Sequence, residues 1–232
     1  MSSIRPFRPG DESALGQICV RTAAAGADAT GMFSDDDIWP AIFVWPYVAR
    51  HPDTAFVVET DEGRVAGYIV CAPDTDAFET WFRTDWWPPF ARRWARPAPR
   101  GDQGYPGSRE PVDQEPVDQE QGLLAYAAAR GGAANRYQAM GFPAHLHIDL
   151  LPELQGQGWG RRLIDTLADR LRARGVRGVH LVAGAENAGA VAFYPRVGFT
   201  ALAAHPADEN DRPFGMRLPP RHPTSADGPA AG

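Results

Sequence analysis

The apolar positions of this chain fall into short runs of two periods, which divide it into strands and helices before any chemistry is considered. Ser3-Ile4-Arg5-Pro6 predicts a short strand, and Gly10-Asp11-Glu12 followed by Leu15, Ile18 and Cys19 predicts a helix with a polar start. From Ser34 to Ala49 the pattern is helical but carries Pro40 and Pro46, so a kinked or broken helix is expected. Ala55 to Glu59, the turn Asp61-Glu62-Gly63, and Val65 to Cys71 predict a hairpin. Further on, His145 to Leu151 reads as a strand. Trp159 to Arg174 reads as a helix with Leu163, Ile164, Leu167 and Leu171 on one side, closed by Gly175. Val179 to Val182 is a strand, Ala188 to Val197 a helix, and Phe199 to Leu202 and Met216 to Leu218 are closing strands. Strands alternating with helices imply an α/β (α+β) chain, a mixed sheet with helices on its faces.

Between the halves the pattern changes. Residues 74–121 are expected to be an insertion in a single domain spanning 1–218. Its first part holds Trp81, Trp86, Trp87 and Trp94 with Phe78, Phe82 and Phe90, a cluster suited to a binding groove, to core packing or to a subunit contact. Its second part, from Arg96 to Gln121, is rich in proline and charge. It contains the tandem Glu110-Pro111-Val112-Asp113-Gln114 and Glu115-Pro116-Val117-Asp118-Gln119, read as a low-complexity loop. A helical pattern follows from Leu123 to about Arg130, and residues 219–232 are expected to be a disordered tail.

Composition narrows the chemistry. All 23 basic side chains are arginine, because the chain has no lysine. That excludes a Walker A phosphate loop, Schiff-base chemistry and the protein-kinase catalytic set, each of which needs a lysine. The net charge of −6 argues against nucleic acid or an anionic membrane as the main partner. No apolar run approaches a membrane span and the N-terminus lacks a signal core, so a cytoplasmic protein is expected. The two cysteines, Cys19 and Cys71, sit among apolar residues, which predicts buried free thiols, and no metal site is expected.

The chemistry concentrates in one stretch, from His147 through Leu163. A strand runs into a turn with Gly156, Gly158 and Gly160, and the turn opens a helix. Such a turn leaves backbone N–H groups open, and the helix start adds partial positive charge, so a pyrophosphate fits there. The dinucleotide pattern Gly-x-Gly-x-x-Gly is not matched, since position 161 is arginine. Arg161 and Arg162 beside a helix start are electrostatically unfavourable alone, which makes a phosphate partner attractive, although a solvated pair is the plain alternative. Trp159 suits packing and a cofactor-facing place equally. On the strand before the turn, His145, His147 and Asp149 recur with period two and share a face, three candidate bases in a line.

Gln155, Gly158 and Gly160, followed by Asn187, Ala190, Tyr194, Gly198 and Phe199, closely resemble the acetyl-coenzyme A signature of the GNAT N-acetyltransferases. The resemblance implies the GNAT fold, a mostly antiparallel mixed sheet splayed between its fourth and fifth strands. It also implies direct transfer from acetyl-coenzyme A to an amine. In that family the glycine-rich turn wraps the pyrophosphate, which falls here on Gln155, Gly156, Gln157, Gly158, Trp159, Gly160 and Arg161. Asn187 would hold the pantetheine arm, Tyr194 would protonate the leaving thiolate, and N–H groups of Leu150 or Leu151 would hold the acetyl carbonyl.

Ile4-Arg5-Pro6-Phe7, Glu62-Gly63 through Gly67-Tyr68, the aromatic stretch to Trp94, Asp149 and Phe193-Tyr194 also look like the acetyltransferase-like domain of animal O-GlcNAcase. That domain lacks an intact glycine turn, whereas this chain has one, which implies a free-standing bacterial relative that still binds the coenzyme. Asp149, nearest the cofactor end and with a counterpart there, is the first choice of base. His147, which ordinarily titrates near working pH, is the second. The competing expectation is a silent coenzyme-binding module with a regulatory or interaction role. The acceptor is an unidentified amine, and the oligomeric state is monomer or homodimer.

Overall fold

The computed structural model describes residues 2–94, 116–132, 135–204 and 210–220. Strand β1 (Ser3–Pro6) leads into helix α1 (Glu12–Val20), and the proline-interrupted stretch forms two short helices, α2 (Ile38–Phe43) and α3 (Trp45–Arg50). The break lies at Val44, just before Pro46 at the start of α3, where proline's missing N–H costs nothing. Strands β2 (Phe56–Glu59) and β3 (Val65–Ala72) form the expected hairpin. They are followed by α4 (Thr75–Trp81), a wide π turn over Phe82–Trp86, and α5 (Trp87–Arg93). The second half comprises α6 (Pro116–Ala129), α7 (Arg136–Ala139), β4 (Ala144–Leu150), α8 (Trp159–Ala173), β5 (Gly178–Gly184), α9 (Ala188–Arg196), β6 (Thr200–Ala201) and β7 (Asp211–Arg217).

The seven strands make one sheet in the order β1-β2-β3-β4-β5-β7-β6. Every pairing is antiparallel except β4 with β5, which are parallel and joined only at Ala144↔Val179 and His145↔His180. Beyond those two pairs the strands diverge, and that gap positions the site. α8 packs on one face, sinking Leu163, Ile164, Leu167 and Leu171 into the core, while α1 and α3 cover the other.

Two expectations change. Helix α6 begins at Pro116, inside the second copy of the tandem, so that copy is not loop: proline suits a first helical position. Glu120 is buried there and its carboxylate accepts from Ser34 N–H and Oγ–H at 2.6 and 2.9 Å. The first tandem copy, Glu110 to Gln114, lies outside the described residues, as do residues 221–232 of the expected tail. Strand β7 starts at Asp211 rather than Met216 despite Pro213. The Pro213 carbonyl accepts from Leu202 N–H at 2.9 Å, so its missing N–H faces the same side, where β6 has already ended.

The aromatic cluster is core, not groove. Phe78, Phe82 and Trp87 are buried, Trp86 Nε1–H donates to the Ala41 carbonyl at 2.8 Å, and Trp94 Nε1–H donates to Asp35 at 2.9 Å. Cys19 and Cys71 are both buried and free. Among the described residues, no helix is long and apolar enough to cross a membrane.

Candidate functional site

Two cavities open on the gap between β4 and β5. The larger, about 860 Å³, is bounded by Ile148, Asp149 and Leu150 of β4, the turn into α8, and α9. The smaller, about 410 Å³, is bounded by His145, Leu146 and His147 of β4 and His180, Leu181 and Val182 of β5, with helical side chains above.

The glycine turn is built as the pattern suggested. Gly158 sits at φ +83° just before α8, a left-handed conformation that side chains resist. Among the described residues, no backbone carbonyl meets the N–H groups of Gly156 through Arg161, and the first paired one is Arg162 N–H on Gly158. A run of open donors at a helix start fits a diphosphate. Gly160 has a second reason to be glycine: a Cβ there would lie 2.9 Å from Phe193, so α8 and α9 approach only because it is absent. Trp159 is both packed and cavity-lining, 8% exposed, with Arg162 over its ring at 4.7 Å. Arg161 lines the cavity and donates to the Arg196 carbonyl at the end of α9.

Not every expected contact residue faces this cavity. Gln157 does not line it, and its side-chain amide donates to the Glu153 carbonyl at 2.6 Å, leaving only its backbone N–H toward a ligand. Leu151 is corrected outright. Its N–H donates to the Ala66 carbonyl at 3.0 Å and is unavailable for an acetyl oxygen. Because successive residues of an antiparallel strand alternate in the direction of their N–H groups, Leu150 N–H points away from β3 into the gap. The Leu150 carbonyl points the same way and accepts from the Gln155 side-chain amide at 2.9 Å.

Asn187 caps α9, its Oδ1 accepting from Ala190 N–H at 2.9 Å, and lines the same cavity. Tyr194 lies about two helical turns further on, 8% exposed, its hydroxyl without a partner among the described residues. Burial, reinforced by negative Asp149, pushes the Tyr194 phenol up, so it stays protonated. Asp149 is half-buried and accepts a short hydrogen bond from Tyr68 O–H, its register partner on β3. Burial raises its carboxyl above the usual range, with Tyr68 and Thr22 pulling the other way.

His147 shares the strand face of Asp149 but lines the smaller cavity. Its Nε2 lies 3.1 Å from the hydroxyl of Tyr47, a fully buried residue of α3, and burial together with Arg130 pushes it down to about 3. His145, the third of the line, is buried with both ring nitrogens engaged, by Thr75 and by Tyr47. Sequence reasoning missed Tyr47, Tyr68, Glu79 and Arg130. Only Tyr68 had a visible signal, since a hairpin strand beside β4 must put alternate residues next to Asp149.

A model of the acetyltransferase (GNAT) family matches residues 24–199. The crystal structure of SsHAT is similar with a TM-score of 0.76 and 36% identity over 94% of this chain and 98% of that one. That of yncA from Salmonella typhimurium with its cofactor acetyl-CoA is similar in fold, with a TM-score of 0.52 at 16% identity, covering 96% of each chain. Mycothiol acetyltransferase of Beutenbergia cavernae is 52% identical over 54 residues, 23% of this chain, and the match spans 18% of that protein's length. With the family match covering most of the sequence, the chain belongs to the acetyltransferase (GNAT) family.

Proposed function

We propose that acetyl-coenzyme A lies in the larger cavity with its pyrophosphate on the N–H groups from Gly156 to Arg161, and that a primary amine reaches the thioester from the smaller one. The observation that carries this reading is that Asp149 and Tyr194 line the same cavity as that turn. The pantetheine arm runs past Asn187. The amine lone pair attacks the acetyl carbon, Asp149 takes the proton from nitrogen, and Leu150 N–H holds the oxygen as it gains charge. When the C–S bond breaks, the Tyr194 phenol gives its proton to the sulfur, so amide and free thiol leave. The raised Asp149 carboxyl suits it to proton abstraction, and the raised Tyr194 phenol keeps its proton available.

The test is thiol release from acetyl-coenzyme A across amines, lysine peptides and aminoglycosides, with coenzyme affinity measured alongside. Tight binding without turnover on any acceptor favours the silent module instead. Tyr194→Phe is expected to lower kcat by about 10²-fold, the lower end of general acid–base contributions, with coenzyme affinity nearly unchanged. Unchanged turnover removes Tyr194 as the acid. Tyr68→Phe deletes a donor to the Asp149 carboxylate, so the acid limb of the kcat/KM profile is expected to move to higher pH. An unmoved limb removes Asp149 as the titrating base.

A further inference from the structure

The smaller cavity holds three histidines whose ring protons can be assigned from neighbouring atoms that have no choice of role. Thr75 Oγ1 lies 2.7 Å from the Pro143 carbonyl oxygen, which can only accept, so the hydroxyl proton lies between them. Thr75 Oγ1 therefore accepts from His145 Nδ1–H at 2.8 Å, and His145 Nε2 is left with a lone pair. That lone pair takes the Tyr47 O–H at 2.6 Å. With its proton committed, Tyr47 accepts from His147 Nε2–H at 3.1 Å and from Arg130 Nη2–H at 3.3 Å. His180 is settled separately: its Nδ1–H donates to the Phe142 carbonyl at 2.9 Å and its Nε2 accepts from Asn135 at 3.2 Å.

One ring nitrogen of the three histidines then has no partner among the described residues, His147 Nδ1, on a ring that lines the cavity beside Phe43. Resting on the transfer reading above, we propose that Thr75, His145 and Tyr47 hold His147 as a fixed hydrogen-bond acceptor whose Nδ1 selects an amine carrying a second N–H or O–H donor near the reacting nitrogen. Residues two apart on a strand are separated by about 6.6 Å, so the group on His147 is distinct from the nitrogen on Asp149. This describes an amino alcohol, amino sugar or polyamine rather than a plain alkylamine. Burial and Arg130 keep the ring neutral, so it accepts throughout the working range.

Two measurements on the full chain test this. Nitrogen NMR of ¹⁵N-histidine protein with coenzyme A bound should find His147 as the Nε2–H tautomer; the Nδ1–H tautomer overturns the proposal whether or not any amine is acetylated. In the transfer assay, kcat/KM should favour 2-aminoethanol over propylamine, and glucosamine over cyclohexylamine, by about tenfold or more, the effect of one hydrogen bond. His147→Asn, whose amide oxygen can occupy the Nδ1 position, should keep that preference, and His147→Gln should lose it. Thr75→Val should weaken the preference while leaving coenzyme affinity unchanged, as expected of a positioning residue. Equal kcat/KM for the paired amines, or equal behaviour of the two His147 variants, overturns the proposal. Failure of every amine to react, with the expected tautomer present, counts against transfer rather than against the assignment of His147.

Discussion

Asp149→Asn is expected to lower kcat by about 10² to 10⁴, the range for losing a positioned general base, while coenzyme affinity stays nearly unchanged. The substitution keeps the shape of the side chain, and its amide oxygen can still accept the Tyr68 hydrogen bond, so the strand pairing between β3 and β4 has no reason to shift. What is lost is the ability to take a proton. Stability should move the opposite way from activity. A carboxyl raised on folding binds its proton more tightly in the native state than in the unfolded one. Native stability therefore falls as pH rises from the unfolded value through the folded one, and stays lower above it. The asparagine variant should accordingly melt at a higher temperature than the parent at neutral and alkaline pH. The difference should vanish in acid below the unfolded carboxyl value. Melting curves across pH check the sign, and a parent protein stabilised by ionised Asp149 at neutral pH contradicts the assignment of a raised carboxyl.

Arg130→Met should destabilise the fold by about 3 to 5 kcal/mol, the usual consequence of removing one member of a buried ion pair. The Arg130 guanidinium donates to both oxygens of Glu79 at 2.9 and 2.6 Å and to the Ile42 carbonyl at 2.8 Å, and lies 4.1 Å over the Phe82 ring. Methionine fills much of the volume but leaves a carboxylate and a carbonyl without their donors. Arg130→Lys is not expected to rescue it, since an ammonium cannot match the two-pronged contact with Glu79. The double variant with Glu79→Gln should be less destabilised than the sum of the two single ones, because the orphaned charge is removed with its partner. Denaturant titration of the four proteins closes that cycle, and additivity would show that the pair is not coupled. Arg130 also reaches Tyr47, so the single variant should disturb the smaller cavity more than the larger.

Local pattern carried much of the architecture. The hairpin, the strand entering the glycine turn, α8 and α9 were legible from local signals: continuous apolar runs for the hairpin strands, of which β3 is buried on both faces, period-two alternation for β4, one apolar face at helical period for α8, and glycine, asparagine or a polar turn at the element ends. Two elements were obscured by proline. Pro116 and Pro213 both look like breakers in isolation, yet one opens a helix and the other sits opposite Leu202, just past the end of β6, where only its carbonyl is bonded. The aromatic stretch could not be assigned from sequence, because a buried tryptophan and one lining a groove look alike until the helices beneath them are in place.

The same division holds at the site. The amino-acid order alone determined that His145, His147 and Asp149 share a strand face, that a run of open N–H groups follows, and that Asn187 and Tyr194 belong to the helix after the next strand. Period and turn chemistry are local, acting over a few residues. Only the tertiary structure decided that Leu150 and not Leu151 offers its N–H to the gap, that Asp149 and His147 border different cavities, and that, of the three histidines lining the smaller cavity, His147 keeps a ring nitrogen without a partner among the described residues. Each of those outcomes depends on partners far away in the chain, Ala66, Tyr68, Tyr47 and Arg130. Hydrogen-bond roles and the desolvation that shifts a pKa are properties of what the fold brings into contact.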